Sequence, residues 1–279
     1  MWQARQDALR AARPRRRAPG CGREVPVGVH HRLLATLVHL RLGVTHDVLG
    51  AWFGGGPLDH HAGDQRDPTT AGRTGGAGVD DGRRPRTLAE VVDHLSAGGR
   101  NAILDATEVR VRRTSADAAD RDRYVSGKSR QNAIKTMVVI DPQGRVLFCG
   151  ATVPGFVADI TQARDSGLAG LLAAADGVEI LADAGYQGLA AETGGAVVTP
   201  PHRKFRKNPP ARYEQHHVAP GKAHSTRRIR IEHGIAHLKN WRSLARHLVR
   251  RATFDHTVQA VAGLLSDHQH RDRTEPTTQ

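Results

Sequence analysis

The alternation of apolar and polar positions is clearest in the second half of the chain, where it predicts strands. Residues 102–112 begin apolar and then alternate Val109 and Val111 with arginines, as a half-buried strand does. Two further apolar runs, at 136–140 and 146–153, flank the sequence Asp-Pro-Gln-Gly, which is typical of a hairpin turn. These three runs predict a meander of three strands.

Farther along, helical and strand patterns alternate. In chain order the pattern predicts a helix at 159–175, a buried strand at 178–183, a short strand at 196–199, a basic loop at 200–222, a long helix at about 223–250 and a last helix at 254–268. A meander followed by a helix, a central strand, a short strand and more helices predicts an α/β layer fold with a mixed sheet.

The N-terminal part predicts a small, all-helical module behind a basic arm. Residues 1–28 are rich in Arg and Pro and have little to bury, which favours a mobile arm that grips phosphates or binds nothing specific. One apolar helical face is predicted in 30–42 from Leu33, Leu34, Leu37, Val38 and Leu40. After Gly43, Thr45 is the predicted N-cap of a second helix, whose apolar residues are Val48, Leu49, Trp52 and Phe53. Two short helices around a tight turn are how a helix-turn-helix begins.

The third helix of such a module is missing from the sequence. Residues 54–82 contain nine glycines and almost nothing apolar, a composition typical of a linker. We hypothesise instead that this segment is translated out of frame. Codons can be chosen for residues 55–71 so that a start one base later reads Val-Asp-Arg-Ser-Thr-Ile-Thr-Arg-Ala-Ile-Arg-Glu-Ile-Arg-Pro-Leu-Leu, an amphipathic helix with a Ser/Thr cap. The predicted module therefore spans 29–82, with 54–82 degraded or frameshifted.

A connecting helix is predicted at 83–99, because Thr87 and Glu90 form a capping box and four apolar residues share one face. That face consists of Leu88, Val91, Val92 and Leu95. The remaining boundaries predict a core domain at 100–270 and a tail at 271–279.

The net charge of the chain indicates which kind of partner it binds. The chain carries 41 Lys and Arg against 28 Asp and Glu, a formal net charge of +13. Such an excess favours a polyanion, most often nucleic acid, and the alternative is a solvated basic surface. Two cysteines in unrelated contexts suggest neither a disulfide framework nor a zinc motif. Without a long apolar run or a secretory signal, we expect a cytoplasmic protein, and its charge favours association with nucleic acid.

Three acidic residues lie at positions that the predicted fold could bring together. Asp105 and Asp183 each end an apolar run, and Glu232 lies within the long predicted helix. If the two strands are neighbours, both aspartates lie at one sheet edge, and a helix packed across the sheet could aim Glu232 at the same point. Two strand acids and one helix acid can bind two Mg²⁺ ions for phosphodiester chemistry. The alternatives are a turn-forming aspartate and a surface ion pair of Glu232.

The core sequence resembles the Harbinger-like DDE transposases of bacterial insertion sequences. The matching blocks are LDATEVRVRR at 104–113, YVSGKSRQNAIKTMVVIDPQGRVL at 124–147, VPGFVADI at 153–160, LADAGYQGL at 181–189, VVTPPHRK at 197–204 and RRIRIEHGIAHLKNWRSL at 227–244. This resemblance implies an RNase H-like fold. It also implies that Asp105, Asp183 and Glu232 are a metal-binding triad using Mg²⁺ or Mn²⁺, with two ions expected.

The same resemblance implies the reaction and its partners. Such enzymes cut double-stranded DNA at the terminal inverted repeats of the element and join the freed 3′ hydroxyl to target DNA, so a homodimer or higher synaptic complex is expected. Similar proteins usually have Asp-Gly-Thr where this chain has Asp-Ala-Thr at 105–107. The glycine-rich 54–82 departs further, because the family would carry the end of its DNA-binding module there.

Other residues around the triad are candidates for supporting roles. Glu108 is a possible second acid or a simple alternation partner, Asp159 shapes the site or caps a helix, Tyr186 lines the phosphate path, and His233 contacts DNA or a carboxylate. For the basic side chains, phosphate binding and ion pairing to Glu232 are both open. These basic residues are Lys128, Lys135, Arg227, Arg228, Arg230, Lys239 and Arg242.

Two classes of function remain open at this point. One is a DDE transposase that cleaves and joins DNA strands. The other is a DNA-binding protein or nuclease remnant that no longer transposes, because its recognition module is impaired. A plain structure-selective nuclease on the same fold is a third option.

Overall fold

A computed structural model describes residues 28–53, 85–98, 101–113, 121–202, 208, 210–247 and 251–274. The chain divides into two compact units, residues 1–78 and 79–279, and each is described by itself. The predicted basic arm up to residue 27, the glycine-rich 54–82 and residues 275–279 lie outside the described residues.

The first unit contains two helices joined at a glycine. Helix α1 spans Val29–Leu42 and helix α2 spans His46–Trp52. Gly43 ends α1 with φ 67°, a left-handed conformation that suits glycine, and its N–H donates to His39 O at 2.8 Å. Thr45 is the N-cap residue of α2, as predicted, although its side chain makes no capping hydrogen bond.

The apolar face predicted for this unit is partly wrong. Ala35, Leu40 and Leu49 are buried, whereas Leu33 and Leu34 of the predicted face are exposed. Trp52 is 71% exposed. Two short helices can cover only the side chains that lie between them, so a pattern of leucines wider than that contact leaves some in solvent.

The second unit is built on a six-stranded mixed sheet. Its strands are β1 Asn101–Val111, β2 Ala133–Ile140, β3 Val146–Pro154, β4 Glu179–Leu181, β5 Val197–Val198 and β6 Arg246–His247. The order is β3-β2-β1-β4-β5, with β6 beside the end of β1. The first three strands form the predicted antiparallel meander, and β4 and β5 run parallel to β1.

Helices flank this sheet. They are α3 Leu88–Gly98, α4 Asp159–Asp165, α5 Leu168–Ala173, α6 Leu189–Glu192, α7 Ala211–Lys239, α8 Arg242–Ala245 and α9 Phe254–Thr274. The main apolar core joins α3, the sheet and α5, and includes Leu95, Leu104 and Leu168. Helix α7 packs on β1 and β2, while α9 packs on β3. The mixed sheet with flanking helices confirms the predicted fold class.

The connecting helix is capped as the sequence predicts. The N–H of Glu90 donates to Thr87 Oγ1 at 3.2 Å, and the N–H of Thr87 donates back to Glu90 Oε2 at 3.2 Å. This is the reciprocal capping box. The predicted apolar face of α3 is buried along its whole length, from Leu88 to Leu95.

Three predicted boundaries are wrong. The single helix at 159–175 is two helices, because Gly167 takes φ 79° between them. Helix α7 begins at Ala211 rather than near 223 and includes Pro220, and it ends at Lys239. The segment after it forms α8 and β6, where the long helix was predicted to continue.

Within the described part of the chain, none of the helices combines the length and apolar character needed to cross a membrane.

Candidate active site

Asp105 and Asp183 occupy the same level of two neighbouring parallel strands. Ile103 of β1 pairs with Leu181 of β4, so each aspartate lies two residues beyond a paired position. Parallel strands advance together, which brings the two carboxylates side by side, Asp105 within β1 and Asp183 just past the end of β4. The predicted juxtaposition of the two strand acids therefore has a basis in the register itself.

The Asp105 carboxylate is mostly withdrawn from solvent and has two partners. Its Oδ1 accepts the N–H of Ala106 at 2.7 Å, and its Oδ2 accepts Arg228 Nη2 at 2.8 Å. Burial raises the pKa of Asp105, and the charges of Asp183 and Asp159 raise it further, against the opposing effects of Arg228 and Ala106. The net effect shows that the site disfavours the negative charge on Asp105.

Asp159 joins Asp105 and Asp183 as the third acid of this group. Asp183 caps a short 3₁₀ turn, Ala184–Tyr186, by accepting the N–H of Gly185 at 2.8 Å. A Cβ on Gly185 would lie 3.0 Å from Asp183 Oδ1 and 3.2 Å from Asp159 Oδ2. A glycine at 185 thus lets the carboxylates of Asp159 and Asp183 approach the same point.

Lys135 partly neutralises this third acid. Its ammonium lies 2.7 Å from Asp159 Oδ1 and donates to Val157 O at 2.8 Å. Lys135 is 7% exposed, so its charge is used inside the protein. We therefore do not retain Lys135 among the candidate DNA contacts.

Tyr186 is buried next to the acids and does not line the predicted path of the DNA phosphates. Its side chain is fully buried, and among the described residues its hydroxyl has no hydrogen-bond partner. Burial raises the pKa of Tyr186 above its ordinary value, as do the charges of Asp159, Asp105 and Asp183. The phenol therefore stays protonated, and the predicted role as a lining residue is replaced by one in the core.

Glu108 is engaged away from Asp105. Ser126 Oγ donates to Glu108 Oε1 at 2.7 Å, and Ser129 Oγ donates to Oε2 at 3.0 Å. Glu108 Oε1 also lies 4.0 Å from the Nζ of Lys135, whose other acidic partner is Asp159. Glu108 is thus an anchor for the turn that contains the two serines rather than a second acid beside Asp105. Nothing in the sequence signals this contact, because Glu108 and the two serines are 18 and 21 positions apart.

Helix α7 presents the third predicted triad member. At 100° per residue, Arg228, Glu232 and Lys239 fall within about 40° of one another around the helix axis. Arg228 bonds Asp105, and the charge of Asp105 acts on Lys239. Glu232 lies between them along this face and is exposed. From the sequence, the basic side chains of Arg228 and Lys239 could each pair with Glu232. In the structure, Arg228 pairs with Asp105 instead.

The acids are not assembled into a closed metal cage. Within the described residues, no group of three or more His, Cys, Asp or Glu side chains is positioned to hold a metal ion. Asp105 and Asp183 supply the hard oxygen ligands that divalent cations such as Mg²⁺ prefer, at a point where their charges repel. The donor chemistry of the two aspartates fits a divalent cation. Glu232 is not among the charges that act on Asp105, so the predicted third ligand is on the face of α7 that carries Arg228 but is not brought into the group.

The other residues that were predicted to contact DNA or to support the triad lie at the protein surface. Arg227 pairs with Glu179, the first residue of β4. The remaining exposed candidates are Lys128, Arg230, His233, Lys239 and Arg242.

Comparison with known proteins identifies the class of this site. A sequence model of the DDE superfamily endonucleases matches residues 104–266, which is more than half of the chain. The chain belongs to the DDE superfamily endonucleases. A second model, the helix-turn-helix of DDE superfamily endonucleases, matches residues 26–54. The family match spans the segment that contains Asp105, Asp183 and Glu232, and the helix-turn-helix match covers α1 and α2.

Solved structures with a partial likeness are complexes of another transposase. A pre-cleavage Mos1 transpososome has 10% identity and a TM-score of 0.23, over 91% of this chain and 86% of that chain. The Mos1 transposase paired-end complex with left transposon end has 12% identity and a TM-score of 0.20, over 93% and 86%. The mariner Mos1 paired-end complex with Mg has 12% identity and a TM-score of 0.22, over 91% and 86%. None of the curated proteins matches the chain.

Proposed function

We propose that this DDE superfamily endonuclease is a transposase that cleaves DNA strands at the ends of an insertion sequence and transfers them to target DNA. Asp105, Asp183 and Glu232 are its triad. The observation that carries the proposal is that Asp105 and Asp183 each lie two residues beyond the pair of Ile103 and Leu181 on parallel β1 and β4. Family membership supports the cleavage, and the joining of strands is the further step that we propose.

The triad is suited to a pair of divalent cations, Mg²⁺ or Mn²⁺. When bound, such ions activate the attacking oxygen and stabilise the leaving oxygen of an in-line displacement. Asp105 and Asp183 would hold them from the sheet and Glu232 from α7. The divalent charge would offset the repulsion that disfavours ionised Asp105.

Two balanced displacements make up the reaction. In the first, water attacks a phosphodiester at the element end, and the 3′ oxygen leaves with a proton as a free hydroxyl. In the second, that hydroxyl attacks a target phosphodiester, whose own 3′ oxygen leaves, so the number of phosphodiester bonds is conserved. Because the 3′ end must stay in the site between steps, contacts to the DNA backbone are essential.

The basic residues of α7 are suited to those contacts. Arg227, Arg228, Arg230 and Lys239 lie on the helix that carries Glu232, and Arg242 follows it at the start of α8. Arg228 is shared, because its Nη2 also donates to Asp105 Oδ2. A partner of double-stranded DNA, and a synaptic dimer on two element ends, follow from the proposed reaction.

A change at Asp183 tests the proposal. We expect Asp183→Asn to reduce Mg²⁺-dependent DNA cleavage by roughly a hundredfold or more, the size of one lost preorganised electrostatic contact. Salt-sensitive DNA binding should be retained, because the basic surface is untouched. Single-turnover cleavage and equilibrium binding on the same DNA measure both. Cleavage at the wild-type rate would remove Asp183 from the metal site.

A second function is favoured by one observation at the N-terminal module. The helix-turn-helix match ends at residue 54, where the glycine-rich segment begins. A protein without the third helix could bind or nick DNA without choosing element ends. In that case the chain is a non-transposing DNA-binding protein or nuclease remnant, and terminal-repeat DNA would be bound no better than unrelated DNA.

A further inference from the structure

A compact turn lies beside the proposed active site and rests on Glu108. The turn joins Val125 and Asn132, which form an isolated antiparallel bridge. The N–H of Ser126 donates to Gln131 O at 2.9 Å, and the N–H of Arg130 donates to Ser126 O at 3.0 Å. These bonds close the segment on itself, and we call residues 125–132 the serine turn.

The hydroxyl of Ser126 is the centre of this turn. It accepts the N–H groups of Lys128 at 3.1 Å and Ser129 at 3.0 Å, and it donates to Glu108 Oε1 at 2.7 Å. Ser126 is fully buried. The Ser129 hydroxyl takes the other oxygen of Glu108, at 3.0 Å. Both carboxylate oxygens therefore tie the serine turn to the rigid strand β1.

The backbone of the turn shows that its shape is imposed. Arg130 has φ 55°, in the left-handed region that non-glycine residues seldom occupy. Such a conformation persists only where neighbouring bonds hold it. The bonds from Glu108 through Ser126 and Ser129 are suited to that task.

The turn brings Lys128 towards a second lysine. Lys128 is exposed. The turn is bonded to Glu108, which lies three residues along β1 from Asp105. Partial burial of the Lys239 side chain lowers its pKa, and the charge of Lys128 lowers it further, while Glu108 and Asp105 raise it. The two lysine charges therefore act on each other within reach of the strand that carries Asp105. Like charges this close repel, so the pair favours an anion between or beside them.

We propose that Glu108 is a positioning residue, which through the serine turn holds Lys128 against a backbone phosphate of the DNA strand entering the active site. The inference rests on the proposed function, since it takes Asp105 as the cleavage centre. Glu108 itself does not touch the DNA. Its proposed effect on the phosphate runs through Ser126, Ser129 and the placement of Lys128. Ser126→Ala isolates that route from the charge of Glu108, which also acts on Lys135 and Lys239.

The direction in which Glu108→Ala changes DNA affinity distinguishes a positioning role from a purely electrostatic one. Removing a carboxylate beside a polyanion should tighten DNA binding, because one repulsive charge is lost. A positioning role predicts the reverse, since the released turn no longer holds Lys128 in place. Ser126→Ala makes the same distinction without any change of charge.

The test is a double-mutant cycle on DNA affinity, measured in EDTA at several salt concentrations. We expect Lys128→Ala to weaken binding roughly twofold to fivefold, as for one exposed ion pair, and to reduce the slope against log salt by about one. Glu108→Ala and Ser126→Ala should each weaken binding similarly. The double variant of Glu108→Ala and Lys128→Ala should bind no worse than Lys128→Ala alone.

Matched controls distinguish the loss of Lys128 placement from a general loss of charge or of structure. Glu192→Ala removes a carboxylate that holds Arg164 at the surface and should not weaken binding. Lys222→Ala removes an exposed lysine earlier on α7 and should change the slope by less than Lys128→Ala. Ser129→Ala removes a single exposed hydroxyl, so it supplies a folded variant if Glu108→Ala or Ser126→Ala is unstable.

Several outcomes would overturn the inference. Glu108→Ala could bind with wild-type or higher affinity and an unchanged slope, or Glu108→Ala and Lys128→Ala could weaken binding additively. If the larger changes do not fold, wild-type binding by Ser129→Ala has the same consequence. Because binding is measured without metal, this result is independent of Asp183→Asn, whose cleavage tests the proposed function.

Discussion

Asp105 carries an electrostatic cost that its chemistry explains. The carboxylate is partly buried beside Asp183 and Asp159, and Arg228 offsets only part of the penalty, because the pKa of Asp105 remains raised. A purely structural site would gain from a neutral residue at this position. A charge kept at such a cost is typical of a catalytic centre.

This cost predicts that Asp105→Asn stabilises the protein in EDTA. A folded-state pKa above the unfolded value means that stability from this group is present at low pH and is lost as pH rises through the folded pKa. The free energy of unfolding of the wild type should therefore fall relative to that of Asp105→Asn as pH rises above the ordinary aspartate pKa of about 3.9 and through the raised folded-state pKa of Asp105. Denaturant unfolding at several pH values measures the difference.

The control is Asp165→Asn, at an exposed acid in the last turn of α4. Its effect should stay within about 0.5 kcal/mol at every pH. A wild type that gains stability relative to Asp105→Asn as pH rises would contradict the assigned cost.

At the scale of elements, the position of Glu232 depends on how closely α7 packs on the sheet. Gly234, two residues after Glu232, is buried against the end of β2. A Cβ there would lie 2.9 Å from Ile140 Cγ2 and 3.1 Å from Gly144 O. A glycine is needed at 234 because the helix and the β2–β3 hairpin are in direct contact.

We expect Gly234→Ala to destabilise the fold by about 1–3 kcal/mol, the usual cost of overpacking. It should also slow Mg²⁺-dependent cleavage, because the contact that sets the height of α7 beside Glu232 is changed. Thermal unfolding and single-turnover cleavage measure the two effects.

Gly221 on the same helix gives the matched control. A Cβ at Gly221 meets nothing within 4 Å. Gly221→Ala should therefore stabilise the protein by roughly 0.5–1 kcal/mol, through the better helix propensity of alanine. Equal effects of the two substitutions would show that close packing at 234 has no special role.

Elements with strong local signals could be predicted from the sequence. The capping box at Thr87 and Glu90 and the meander β1–β3 have local signatures, and all are observed. The start of α7 could not be predicted, because Pro220 normally argues against a helix interior. The Asp105–Arg228 ion pair joins residues 123 positions apart, so only the packing of α7 on the sheet reveals it.

At the scale of the whole molecule, the two family matches end differently. The endonuclease match spans residues 104–266, whereas the helix-turn-helix match stops at residue 54, where the glycine-rich segment begins. The frameshift hypothesis explains the difference by a change of reading frame within 54–82. It remains a prediction about the gene, since those residues lie outside the described structure.

Restoring the alternative frame across residues 55–80 tests it. We expect the restored protein to prefer its terminal-repeat DNA over unrelated DNA by at least roughly tenfold, because a helix would then read base edges in the major groove. The chain as it stands should show little preference. A gene whose codons do not encode the alternative helix would rule out the hypothesis.

The most direct test of the proposed active site is the rate of Mg²⁺-dependent cleavage by Glu232→Gln, beside Glu214→Gln on the same helix. The two positions are roughly 27 Å apart along the helix. We expect Glu232→Gln to lose roughly a hundredfold or more in single-turnover rate with DNA affinity retained, and Glu214→Gln to cleave as the wild type does. Wild-type cleavage by Glu232→Gln would contradict the assignment of the triad.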